Sequence, residues 1–291
     1  MGNAINTTSQ HRSLSEFTTN TIRHFRTLFP SHTNHLTRES PWPIYTSGAV
    51  LSMLSSAALW FNGVYYSGTV LLLCMLSTVA AMTLWWADVN KEGTTMGHHT
   101  RVVQNCLAIG VALFIVTEAS AFLSIFWAYF HSSLAPTVEL GTQWPPVGVM
   151  ALSPLAVPAL NTILLVSSGA TVTYAHHALF QKSRERMLQG LLLTVILAII
   201  FTFLQGFEYA VRGFSMTDGA YGSCFYFGTG THGVHVLVGT IFIAVGLVRG
   251  VMYHYTSETH VGLEASILYW HFVDAVWLAL YLMVYWWGSY L

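Results

Sequence analysis

Charge is what this chain has least of. Only 8% of its 291 residues are Asp, Glu, Lys or Arg, against about 25% in an ordinary soluble domain, too few to solvate a globule of this size. The 11 basic and 12 acidic residues nearly cancel, for a formal net charge of -1, and without a basic stripe there is no electrostatic case for nucleic acid. Cysteine is scarce as well: Cys74, Cys106 and Cys224 are odd in number, widely spaced and set in apolar sequence. That excludes a disulfide framework and a CxxC clip, and the three read as lipid- or core-facing. A glycine-rich phosphate loop, HExxH, GxSxG and any nucleophile-base arrangement are also missing. So is an internal repeat of the kind that builds inverted-repeat transporters.

What the chain has instead is apolar sequence, 54% of it, in runs long enough to cross a bilayer. About 20 helical residues at 1.5 Å each span the roughly 30 Å hydrocarbon core. From Ser40 to Ala87 no charged residue or histidine occurs, and Asn62-Gly63 supplies a turn inside that stretch. The pattern predicts spans over about 42–61, 65–87, 102–131, 157–177, 187–209, from Asp218-Gly219 to about 249, and 261–287. The expected fold is therefore all-α, a polytopic membrane protein with seven transmembrane helices. Pro136 to Pro158, centred on Trp144-Pro145-Pro146, reads as an interfacial loop, and Trp85, Trp86, Trp144, Trp286 and Trp287 lie near span ends as an aromatic belt would.

Residues 1–40 form a separate segment, with Arg12, Arg23, Arg26, Arg38, four histidines and no apolar run. They cannot be a secretory signal peptide and read either as an organelle-targeting segment or as an exposed tail. Residues 41–291 form the seven-helix domain. Ten of the 11 basic residues fall in the tail and in the loops after spans two, four and six, with Arg212 alone on the other side. The positive-inside bias then places the N-terminus in the mitochondrial matrix or the bacterial cytoplasm.

Ionisable residues within the spans are few enough to name: Glu118, Glu208, His232, His235, Glu264, His271 and Asp274. Glu208 and Arg212 are four apart with the acid first, the favourable order for a helical ion pair. His232 and His235 share a helix face, as do His271 and Asp274. A metal site can be drawn from His232, His235, Glu264 and Asp274, but hydrogen bonding between neighbouring helices is the commoner use of such residues, and no metal is expected. His98-His99 and His176-His177 lie at span ends beside basic residues and read as interfacial. Glu118 is the exception, a carboxylate in mid-span with no basic residue near it on its helix. Water-poor surroundings disfavour its charged form, so it acts either as a neutral hydrogen-bond donor between helices or as a proton carrier.

Phe114-Ile115-Val116-Thr117-Glu118 followed by Phe126-Trp127-Ala128-Tyr129-Phe130-His131-Ser132-Ser133-Leu134-Ala135-Pro136-Thr137 strongly resembles helix three of cytochrome c oxidase subunit III. The resemblance continues in order through Ser40-Pro41-Trp42-Pro43, Trp85-Trp86-Ala87-Asp88-Val89, Gly97-His98-His99-Thr100, Ala175-His176-His177, His232-Gly233-Val234-His235 and Trp270-His271-Phe272-Val273-Asp274. It implies a two-helix part and a five-helix part separated by a lipid-holding cleft, in a non-catalytic core subunit of an aa3-type oxidase. It also implies that Trp85, Trp86, Glu92, His99, Arg249 and His254 hold phospholipid headgroups, and that Glu118 lies near a proton and oxygen route. Haem and copper would belong to partner subunits, the partners being subunits I and II with accessory subunits, and the location the mitochondrial inner membrane or, less favoured, a bacterial plasma membrane. His232, His235, Glu264, His271 and Asp274 would then serve as a polar network between helices. Ala119, Ser120 and Ala121 depart from the bulkier residues of the family, so looser packing round the acid is expected. Ala87 stands where a basic residue often follows the Trp pair, leaving Lys91 as the main cation there. Subunit III of a quinol oxidase, a membrane metalloenzyme and a proton channel are the competing readings.

Overall fold

The computed structural model describes residues 34–37 and 39–289, so the tail and targeting readings of residues 1–33 lie outside the described residues. Among the described residues seven helices are long and apolar enough to span a membrane. These are α1 (Trp42–Phe61), α2 (Ser67–Thr94), α3 (Arg101–Leu134), α4 (Val157–Phe180), α5 (Arg184–Val211), α6 (Gly219–Val251) and α7 (Val261–Leu280). The last of these widens into a π-helical turn at Tyr281–Trp286. Several helices outrun their apolar cores: α2 carries on past Ala87 through Asp88, Lys91 and Glu92 to Thr94. A helix satisfies its own backbone hydrogen bonds, so nothing forces it to stop where the hydrocarbon does.

Local chemistry sets the ends. Pro43 in α1 and Pro158 in α4 occupy first-turn positions, where a missing N–H costs nothing. Asp218 does precede α6, but its carboxylate accepts from the Ser215 N–H at 2.6 Å and closes the preceding turn rather than capping the helix. The C-terminal end of α6 is met by Arg184, which donates to the carbonyls of Gly250 at 3.2 Å and Val251 at 2.8 Å and lies 3.8 Å over the Tyr253 ring. A guanidinium there satisfies orphan carbonyls and complements the negative end of the helix dipole.

The chain divides into two compact units, residues 1–106 and 107–291. In the first, α1 packs along α2, with Trp42 donating its indole N–H to Asp88 at 2.7 Å. In the second, α4 neighbours α5 and α7, α6 neighbours α5 and α7, and α3 contributes Phe122, Ile125 and Tyr129 to the core. Leu113, Leu123, Trp127, Ile163, Phe203 and Ile241 face outward and are more than half exposed, the surface that hydrocarbon would cover. Because lipid is as apolar as leucine, close packing and hydrogen bonds rather than the hydrophobic effect must hold such helices together. Both are visible in the second unit. A Cβ on Gly190 would stand 2.8 Å from the Ala175 Cβ and 2.9 Å from the Thr171 carbonyl oxygen, so glycine is what lets α5 lie this close to α4. The indoles of Trp270 and Trp277, both fully buried, donate to Ser168 Oγ at 2.9 Å and Thr162 Oγ1 at 3.0 Å across α4 and α7.

Candidate functional site

Glu118 on α3 has a partner 117 residues away. Its Oε2 lies 3.0 Å from Nε2 of His235 on α6, and the other ring nitrogen, Nδ1, is 2.8 Å from the Thr231 carbonyl one turn back. A carbonyl can only accept, so Nδ1 carries a hydrogen and donates to it. Nε2 and the carboxyl oxygen can then make a hydrogen bond only if one proton lies between them. Whether that proton sits on oxygen (neutral acid, neutral imidazole) or on nitrogen (carboxylate, imidazolium), the pair is uncharged as a whole. This resolves the expense of a mid-span acid without any Lys or Arg.

Aromatic rings surround the imidazole. The His235 ring is 5.0 Å from Phe122 edge-on, 6.3 Å from Tyr269 in a stacked arrangement and 6.4 Å from Phe272. Phe122 follows Glu118 by four residues and so shares its helix face. The pair is not sealed, since 27% of the Glu118 side chain and 15% of His235 remain accessible. Ser120 and Ala121 are exposed and Ala119 is half-buried, while Phe122, Tyr269 and Phe272 flank the imidazole.

The other polar residues of the spans make separate local bonds. His232 is buried and donates from Nε2 to the Val273 carbonyl at 3.2 Å. His271 bonds Thr173 Oγ1 through Nε2 at 3.2 Å, and its Nδ1 is 3.9 Å from Asp274 Oδ2. Glu264 meets His260, not His232 or His235, at 3.1 Å. The four groups that can be drawn together on paper as a metal site, His232, His235, Glu264 and Asp274, are thus engaged with different partners.

Glu208 and Arg212 do pair, with side chains 1% and 0% exposed. The guanidinium lies 3.7 Å over the Phe225 ring and donates to the Tyr285 hydroxyl at 3.3 Å. From Tyr285 the bonding passes to Gln205 at 3.4 Å and on to Asn161 at 3.2 Å, joining α5, the end of α7 and α4. Asn161 and Gln205 are uncharged and so stand outside the set of ionisable residues in the spans; amides inside apolar spans were the signal for them.

The expected lipid contacts fall in both units. In the first, Trp85 and Trp86 are exposed, Lys91 pairs with Asp88 at 3.2 Å in the open, and Glu92 accepts from His35 at 3.2 Å. The His99 ring lies 5.8 Å from that of His35, in room left by Gly93, where a Cβ would stand 2.7 Å from His99 Nδ1. In the second unit, Arg249 lies 4.9 Å over the Tyr255 ring, and the His254 N–H donates to the Arg249 carbonyl at 3.0 Å. Burial pushes the Tyr255 phenol above its ordinary value, with Arg249 acting against it.

A family model described as cytochrome c oxidase subunit III matches residues 32–289. Among curated proteins, cytochrome c oxidase subunit 3 of Mycosarcoma maydis is 54% identical over 269 residues, covering 91% of this chain and 98% of that protein. The subunit 3 of Podospora anserina is also 54% identical, over 267 residues, with 91% and 98% covered. That of Loxodonta africana is 50% identical over 259 residues, with 89% and 98% covered.

Proposed function

Because the chain belongs to the cytochrome c oxidase subunit III family, and so is a multi-pass membrane subunit of an oxidoreductase complex, we propose that it serves that complex in three ways without carrying redox chemistry itself. It stabilises subunit I, holds structural phospholipid, and keeps protons and oxygen arriving at the catalytic subunit. Haem and copper belong, on this reading, to partner subunits, among them subunits I and II. The complex sits in the mitochondrial inner membrane with the N-terminus in the matrix, the side to which the basic loops assign it.

The observation that carries the proton role is the single proton held between Glu118 and His235. A carboxyl and an imidazole that hold one proton between them are groups able to pass it on, and neither side chain is sealed. The lipid role is supported by exposed Trp85 and Trp86 and by Glu92, His99, Arg249 and His254, groups that suit a zwitterionic or anionic headgroup at a basic membrane face.

Glu118→Gln in the assembled oxidase is the test. The amide can still donate to His235 Nε2, so assembly should survive, but it has no proton to give. The expected result is slower proton uptake and activity that decays over many turnovers. Proton uptake and turnover indistinguishable from the wild type would leave Glu118 with only its bond between helices.

A further inference from the structure

Where α4 ends and α7 begins, two histidines and a glutamate from separate stretches of chain converge. One ring nitrogen each from His176 and His260 and one carboxylate oxygen of Glu264 lie within 4.8 Å of one another. The His260 side chain is only 4% exposed. Its Nδ1 is 2.9 Å from the Thr256 carbonyl and must donate to it, which leaves Nε2 as the nitrogen free to bind. That Nε2 is buried and makes no hydrogen bond, although Glu264 Oε1 is 3.1 Å away. His176 Nε2 is buried and unbonded as well. Two imidazole nitrogens with unmet bonding capacity therefore sit beside a carboxylate whose side chain is 45% exposed.

We propose that His176, His260 and Glu264 form a binding site for a divalent transition-metal ion of the zinc type. Three arguments support it. Two nitrogens and one oxygen are a borderline donor set that such ions take, with a fourth position left for water or another group. Metal-ligating histidines almost always donate their other ring N–H to a carbonyl or carboxylate, as His260 does to Thr256. Zinc bonds of about 2.0–2.1 Å at tetrahedral angles place neighbouring ligand atoms roughly 3.3 Å apart, and the His260 and Glu264 atoms are 3.1 Å apart already. The third ligand atom lies within 4.8 Å of both. Two rings in contact with His260, His176 at 5.7 Å and Phe180 at 5.3 Å, hold it in place. The other grouping of this kind among the described residues, His35, Glu92 and His99, differs in that His35 Nε2 bonds Glu92 at 3.2 Å. An ion bound at the first site would tie the end of α4 to the start of α7.

The test uses the intact oxidase complex carrying the wild-type chain, His260→Gln or Glu264→Gln, stripped with a chelator and titrated with zinc chloride. Bound zinc is counted per complex by mass spectrometry. The wild type should regain one zinc ion more than either variant, or hold that ion at least about 10–100-fold more tightly, the factor that even an outer-shell loss produces. Equal stoichiometry and affinity in all three overturns the proposal. Should neither variant assemble, anomalous scattering at the zinc edge from the zinc-treated wild-type complex decides it. A peak between the His176 and His260 rings supports the site; its absence rejects it.

Discussion

The proton shared by Glu118 and His235 makes the two residues one unit, and their variants should behave as one. His235→Gln is expected to reproduce the turnover-dependent loss of Glu118→Gln, and the double variant should be no worse than the worse single. Additive losses, read from activity over successive turnovers, would show that the residues act separately. The Glu208–Arg212 pair differs in kind, because it is an ion pair enclosed by rings with side chains 1% and 0% exposed. Removing one partner leaves a buried charge, so Glu208→Gln or Arg212→Met should each cost about 3–5 kcal/mol, while replacing both should cost much less. Thermal unfolding of the complex distinguishes the cases. Tyr255 is expected to matter at high pH. Burial raises its phenol above the ordinary value near 10, with Arg249 opposing, so folding favours the protonated form. Its contribution is complete below about pH 10 and is lost as pH climbs through the raised value. The wild type should therefore lose thermal stability more steeply than Tyr255→Phe above about pH 10; parallel curves would refute this.

At the scale of helices, small residues decide how closely the second unit packs. In an exposed helix Gly190→Ala would gain about 1 kcal/mol in propensity. Here the new methyl meets Ala175 at 2.8 Å and the Thr171 carbonyl at 2.9 Å, and overpacking of about 1–3 kcal/mol should win. It should also stretch the 2.7 Å bond between Thr171 and Thr194 that joins the same helices. A lower melting temperature of the complex is the expected outcome; a raised one would show that α4 and α5 can separate freely. Helix positions were legible in advance because hydrocarbon thickness and apolar run length speak to each other directly, as α1 at Trp42–Phe61 illustrates. Helix ends were less so. Asp88, Lys91 and Glu92 carry α2 beyond its apolar stretch, since polar residues outside the hydrocarbon are as content in a helix as in a loop.

For the whole molecule, the proposed lipid role carries a prediction of its own. Replacing Trp86 by Ala together with Glu92 by Gln should lower the phospholipid retained per purified complex without preventing assembly. Lipid mass analysis gives the answer, and an unchanged lipid complement would remove these residues from the lipid role.

The sequence by itself determined the class, the number of spans and the family, because each depends on composition, run length and ordered motifs. It also singled out Glu118 as an acid in need of a partner, and paired Glu208 with Arg212, since four residues along one helix is a distance that periodicity supplies. Only the tertiary structure decided that the partner of Glu118 is His235, that Glu264 joins His260 rather than His232, and that Asn161 and Gln205 extend the network at Arg212. Periodicity states which residues share a face of a helix. Which face then meets which neighbour depends on rotation and packing, and those are set by contacts between residues a hundred or more positions apart.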